Sequence, residues 1–140
     1  MTRFYLATLL LVALPTLIGC DGGSSGGPKT VNASGVVTLD GAPVEKAQVV
    51  FIDDANQYPA FSATDAQGKF SLKLSEEKQG AVPGPYKIQV SKTILDSGDG
   101  AEVSLKYGLP KKYSNFMESG LTYTIPESGT SDIKLELKSK

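Results

Sequence analysis

A chain of 140 residues with 15 acidic and 14 basic side chains, no histidine and one cysteine has room for a single core and few groups that titrate near neutrality. The lysines are scattered, without a basic run interleaved with aromatics, which excludes the footprint that a phosphate backbone selects and with it nucleic acid as a partner. With no imidazole to act as base, Ser-His-Asp and Cys-His arrangements are excluded, no cofactor or metal motif stands out, and the chain reads as a protein that is not an enzyme.

The N-terminus carries Arg3, then an apolar run from Phe4 to Ile18 interrupted only by threonine and Pro15, then a small residue, Gly19. This is the layout of a secretory signal peptide over residues 1–19, and the run is shorter than the roughly 20 residues a spanning helix needs. Leu17-Ile18-Gly19-Cys20 closes it and resembles the lipobox of bacterial lipoproteins. The resemblance implies that the Cys20 thiol receives a diacylglycerol and that the chain is cut before Cys20. It places the protein in the cell envelope, anchored through lipid to a bacterial membrane, inner or outer, with its domain on the periplasmic or outer side. Anchoring is expected to be stable, at about 0.8 kcal/mol per buried methylene over two or more acyl chains. Loss of Arg3 with the leader takes the net charge from −1 to −2.

Residues 20–30 form the lipidated cysteine and a linker rich in glycine and serine, whose ten residues after Cys20 give a reach of about 17 Å. From Val31 onward apolar residues alternate with polar ones at a period of two, and no segment reads as a helix. Strand A is expected over Ser34–Leu39, with Asp40-Gly41 as a tight hairpin turn, because both positions tolerate positive φ. Strand B, from Gln48 to Ile52, is apolar on both faces, as a covered central strand is. Strand C, Ala60–Thr64, reads as an edge. Phe70, Leu72 and Leu74 mark D; Tyr86, Ile88 and Val90 mark E; Leu121, Tyr123 and Ile125 mark F; Ile133, Leu135 and Leu137 mark G. The expectation is all-β: a seven-stranded antiparallel β-sandwich over residues 31–140.

Three stretches occur in a recognisable order: Gly35-Val36-Val37-Thr38-Leu39-Asp40-Gly41-Ala42-Pro43-Val44, Thr64-Asp65-Ala66-Gln67-Gly68-Lys69-Phe70, and Pro83-Gly84-Pro85-Tyr86-Lys87-Ile88. Together they resemble the carboxypeptidase regulatory-like domain, which implies a transthyretin-like (prealbumin-like) sandwich. Lys112-Tyr113 and Ser119-Gly120-Leu121 are similar to a small bacterial lipoprotein branch of that family. Physically, Asp65 is expected to accept from amides two and three residues on while Gly68 turns left-handed and delivers Phe70 to the core.

Catalytic alternatives are weak. Ser75–Lys78 and Ser131–Lys134 have Ser-x-x-Lys spacing, but in a strand positions i and i+3 point to opposite faces. Asp53 and Asp54 are adjacent and expected to diverge, and the stretch Asp96 to Glu102 lacks the spacing of a calcium loop. The segment from Tyr107 to Met117 is aromatic without period. It either caps the open end of the sandwich or offers Tyr107, Tyr113 and Phe116 as a binding surface, the cap being favoured because apolar groups are more often buried. The functional expectation is a membrane-anchored lipoprotein whose non-catalytic β-sandwich is a structural or binding module. A glycan-binding module and an accessory domain of a partner envelope enzyme stay open, so an envelope protein or a glycan is the partner expected besides the membrane.

Overall fold

A computed structural model describes residues 27–97 and 103–140, and ten strands make up almost all of its regular structure. They are β1 (Ala33–Leu39), β2 (Ala42–Pro43), β3 (Gln48–Asp53), β4 (Ala60–Ala63), β5 (Lys69–Ser71), β6 (Gly84–Ser91), β7 (Thr93–Ser97), β8 (Val103–Tyr107), β9 (Thr122–Ile125) and β10 (Thr130–Leu137). One sheet runs β10-β1-β2, with β5 also against β1, and the other runs β4-β3-β6-β9. Among the described residues β7 and β8 pair only with each other.

Local chemistry explains the turns. Asp40 and Gly41 both take positive φ, 51° and 86°, closing the hairpin in which Leu39 faces Ala42. At the next signature, Asp65 Oδ1 accepts from Gln67 N at 2.9 Å and Lys69 N at 2.8 Å. The amide three residues on, Gly68 N, goes to the Asp65 carbonyl instead of its side chain. Gly68 sits at φ 73°, and a Cβ there would lie 2.5 Å from Val37 O, so the turn and the close approach both require glycine. Phe70 follows it into the core at 4% exposure.

The two sheets share one core. Val37, Ile133, Leu135 and Leu137 come from the first, Val49, Phe51, Ile88 and Ile125 from the second, and all are buried in one cluster. The Phe51 ring lies 6.1 Å from Phe70, an aromatic contact that crosses between the sheets, and 5.8 Å from Tyr86 of its own sheet. Full burial of each such side chain contributes about 1.5–3 kcal/mol. Tyr86 hands its hydroxyl to Val82 O at 2.8 Å, and burial pushes its pKa above the ordinary phenol range.

Several expectations are corrected. β1 and β10 run parallel, from Ala33 opposite Thr130 to Leu39 opposite Leu137, so the first sheet is mixed rather than antiparallel. No short hairpin joins these strands, so nothing forces them to oppose; β10 enters from the second sheet through the turn in which Gly129 N donates to Pro126 O at 3.0 Å. Strand D is not continuous, because Lys69–Ser71 pair with β1 whereas Lys73 crosses over to bridge Phe61 of β4. The stretch after β6, to which no strand was assigned from the sequence, contains the β7–β8 ribbon, followed by a 3-10 turn over Lys111–Ser114. β3 is central as expected, but its outer residues Val50 and Ile52 are only half-buried. Phe61 stands opposite Val50, and the Lys73 ammonium lies 5.3 Å from the Phe61 ring, so long side chains shelter part of that face.

Candidate functional site

An open cleft of about 760 Å³ lies on the outer side of the first sheet. Ser34 and Val36 of β1 form its floor, Lys69 and Ser71 of β5 one flank, and Asp132 and Lys134 of β10 the other. Its shape follows from strand alternation: β1 turns Ala33 and Val37 inward and leaves small residues outward, while its neighbours raise long charged side chains on either side. Ser62 and Asp65 stand at the rim. Ser62 Oγ accepts from Ser71 N at 3.2 Å, which ties β4 to β5 there, and Asp65 is occupied by its own turn.

A bulge shapes the β10 flank. Ala33 faces Thr130 and Gly35 faces Ile133, so two steps of β1 match three of β10. Ser131 and Lys134, expected on opposite faces, therefore both line the cleft. Both are exposed, so this pair lacks the desolvation that a Ser–Lys dyad requires. The other pair, Ser75 and Lys78, lies in a turn rather than a strand, with Ser75 Oγ accepting from Lys78 N at 3.1 Å. Asp53 and Asp54 do diverge: Asp53 accepts from Gln57 N at 3.3 Å and Tyr58 N at 3.2 Å, whereas Asp54 lies 3.2 Å from the Lys87 ammonium. Among the described residues no three His, Cys, Asp or Glu side chains gather to hold a metal ion.

The aromatic segment divides. Tyr113 is 5% exposed and belongs to the core cluster together with Leu109, so its ring offers no face to a ligand. Its hydroxyl accepts from Lys138 N at 2.9 Å, pinning the end of β10. Phe116 is half-buried beside the exposed Met117, and Tyr107 ends β8, opposite Thr93. Cys20 and the stretch 98–102 lie outside the described residues.

Two buried polar residues open motifs quoted from the sequence, although no role was read for them there. Thr64 Oγ1 donates to Val44 O at 2.5 Å and accepts from Ala47 N at 2.8 Å, clasping the loop into β3. Ser119 Oγ donates to Ile88 O at 2.5 Å and accepts from Leu121 N at 3.2 Å, joining the approach to β9 onto β6. Each is the first residue of its quoted motif, Thr64-Asp65 and Ser119-Gly120, and that membership was the available signal. Near the C-terminus, hydrogen bonding from Ser139 holds the exposed Asp40 carboxyl below its usual pKa. Its contribution to stability is present above the ordinary carboxylate pKa and is lost as pH falls.

Comparison with protein-family models, with curated proteins and with solved structures finds no match.

Proposed function

We propose that this chain is a bacterial lipoprotein, anchored through Cys20, whose residues 31–140 form a transthyretin-like sandwich of the carboxypeptidase regulatory-like kind and serve as a non-catalytic binding module. The seven sequence-level strands would correspond to β1, β3, β4, β5, β6, β9 and β10, with β2 as a short return and β7–β8 as an added ribbon. The observation that carries the binding role is the cleft across β5, β1 and β10, with the Ser34 hydroxyl on its floor and a cation and a carboxylate near each flank. Such a lining suits a polar, mixed-charge protein segment better than a sugar, because its one aromatic side chain, Phe70, is committed to the core. The short linker would hold that cleft close to the lipid surface.

Two experiments test the two halves of this reading. A photoreactive residue in place of Ser34, irradiated in intact cells, is expected to capture an envelope protein, while the same residue in place of Gln48, outside the cleft, captures none. Equal capture from both positions removes the cleft from the argument. Cys20→Ala is expected to abolish incorporation of radiolabelled fatty acid, because Cys20 is the only thiol in the chain. A variant that still takes up label and partitions into detergent ends the lipoprotein reading.

A further inference from the structure

Strand β10 runs along the rim of the first sheet, with β1 on one side. Leu137 O accepts from Asp40 N at 3.0 Å, which aims the Leu137 peptide groups at β1. By alternation those of Leu135 and Ile133 aim the same way, and those of Lys134, Glu136 and Lys138 aim outward. Lys138 shows this directly, since its N–H donates away from the sheet to Tyr113 Oη at 2.9 Å. Among the described residues the outward peptide groups of Lys134 and Glu136 meet no backbone partner.

An edge left open in this way is ordinarily blunted by charges that repel a second strand. Here the exposed side chains alternate in sign, Asp132, Lys134, Glu136, Lys138, while Ile133, Leu135 and Leu137 stay in the core. We propose that β10 is a homodimer edge, on which a second copy of this chain pairs antiparallel about a two-fold axis at Leu135.

The register follows from the charges. Ladder hydrogen bonds require outward peptide groups to face each other, so the axis must fall on a residue rather than between two. With the axis at Leu135, Lys134 faces Glu136 of the second copy, Glu136 faces its Lys134, and Asp132 meets its Lys138. With the axis at Lys134, Asp132 faces Glu136 and lysine faces lysine. With the axis at Glu136, Lys134 faces Lys138 and glutamate faces glutamate. A shift to Ile133 again pairs opposite charges but runs the ladder into the bulge at Ser131-Asp132, and a shift to Leu137 sets Lys134 against Lys140 and runs the ladder into Lys138, which Tyr113 already holds. Centring on Leu135 alone engages both free peptide groups and opposes no like charges.

The test is sedimentation of the detergent-solubilised full chain over a range of concentrations, with three surface variants. The parent chain is expected to form a concentration-dependent dimer. Lys134→Glu alone and Glu136→Lys alone each set like charges opposite one another at both symmetry-related positions, and each should raise the dissociation constant at least about tenfold. The double swap Lys134→Glu/Glu136→Lys restores complementarity and should return the constant close to the parent value. All of these residues are exposed, so folding is not at stake. A parent chain that stays monomeric, a dimer indifferent to the single reversals, or a double swap that fails to rescue overturns the proposal.

Discussion

Gly35→Val is expected to leave no cooperative unfolding transition at ambient temperature. A Cβ at this position would lie 2.1 Å from Ile133 O and 2.6 Å from Ile133 Cβ, distances at which one of the two strands must move. β10 cannot step aside cheaply, because Ile133, Leu135 and Leu137 fill the core and the ladder to β1 would open along its length. Overpacking in a core ordinarily costs about 1–3 kcal/mol, and a clash with backbone that also unpairs a ladder belongs to the exceptional range above about 4 kcal/mol. A cost of that size approaches the whole stability of a domain at the lower end of the ordinary range, about 5 kcal/mol. Gly41→Ala is the control: its φ is 86° but a Cβ there meets nothing within 4 Å, so the cost should stay near 1 kcal/mol. Denaturant titrations followed by circular dichroism check both, and a Gly35→Val chain that unfolds at the parent midpoint would mean that β1 and β10 do not lie side by side.

Gly35 stands in the first quoted motif, yet nothing around it in the sequence announces the contact it makes. Alternation reports which face a residue occupies and says nothing of which strand lies alongside or in which direction it runs. β1, β3, β6 and β10 were therefore legible as strands, while the parallel pairing of β1 with β10 was not. The same blindness explains strand D, where Phe70 and Leu72 keep the period of two while the backbone changes sheets at Lys73. Turns fared better because their determinants are local: Asp40-Gly41 and Asp65 to Gly68 act within a few residues of one another. The cleft was not legible at all. Its floor is small residues on β1 and its flanks come from strands distant in the chain, and the bulge that turns Ser131 toward it is a mismatch between two strands rather than a property of either.

The second large effect separates cap from ligand surface within the aromatic segment. Tyr113→Ala should cost about 3–5 kcal/mol, since the ring is 5% exposed, belongs to the core cluster, and its loss leaves a cavity under the 3-10 turn. Tyr113→Phe keeps the ring and removes the hydroxyl that receives the Lys138 N–H at 2.9 Å, so about 1 kcal/mol should go with it. Phe116→Ala, which the sequence alone would rank beside Tyr113, should cost only about 1–2 kcal/mol, because that ring is half-buried and outside the cluster. The order Tyr113→Ala, then Phe116→Ala, then Tyr113→Phe is what chemical denaturation should read. Unchanged midpoints for Tyr113→Ala would mean that the turn does not close the core, and would return Tyr113 to the surface as a residue to probe for a partner. The geometry argues against that outcome from both ends of the side chain: the ring is packed inward with the Lys112 ammonium 4.9 Å from its centroid, and the hydroxyl is held at the end of β10, so the segment between β8 and β9 is fastened through Tyr113 to the strand that completes the first sheet.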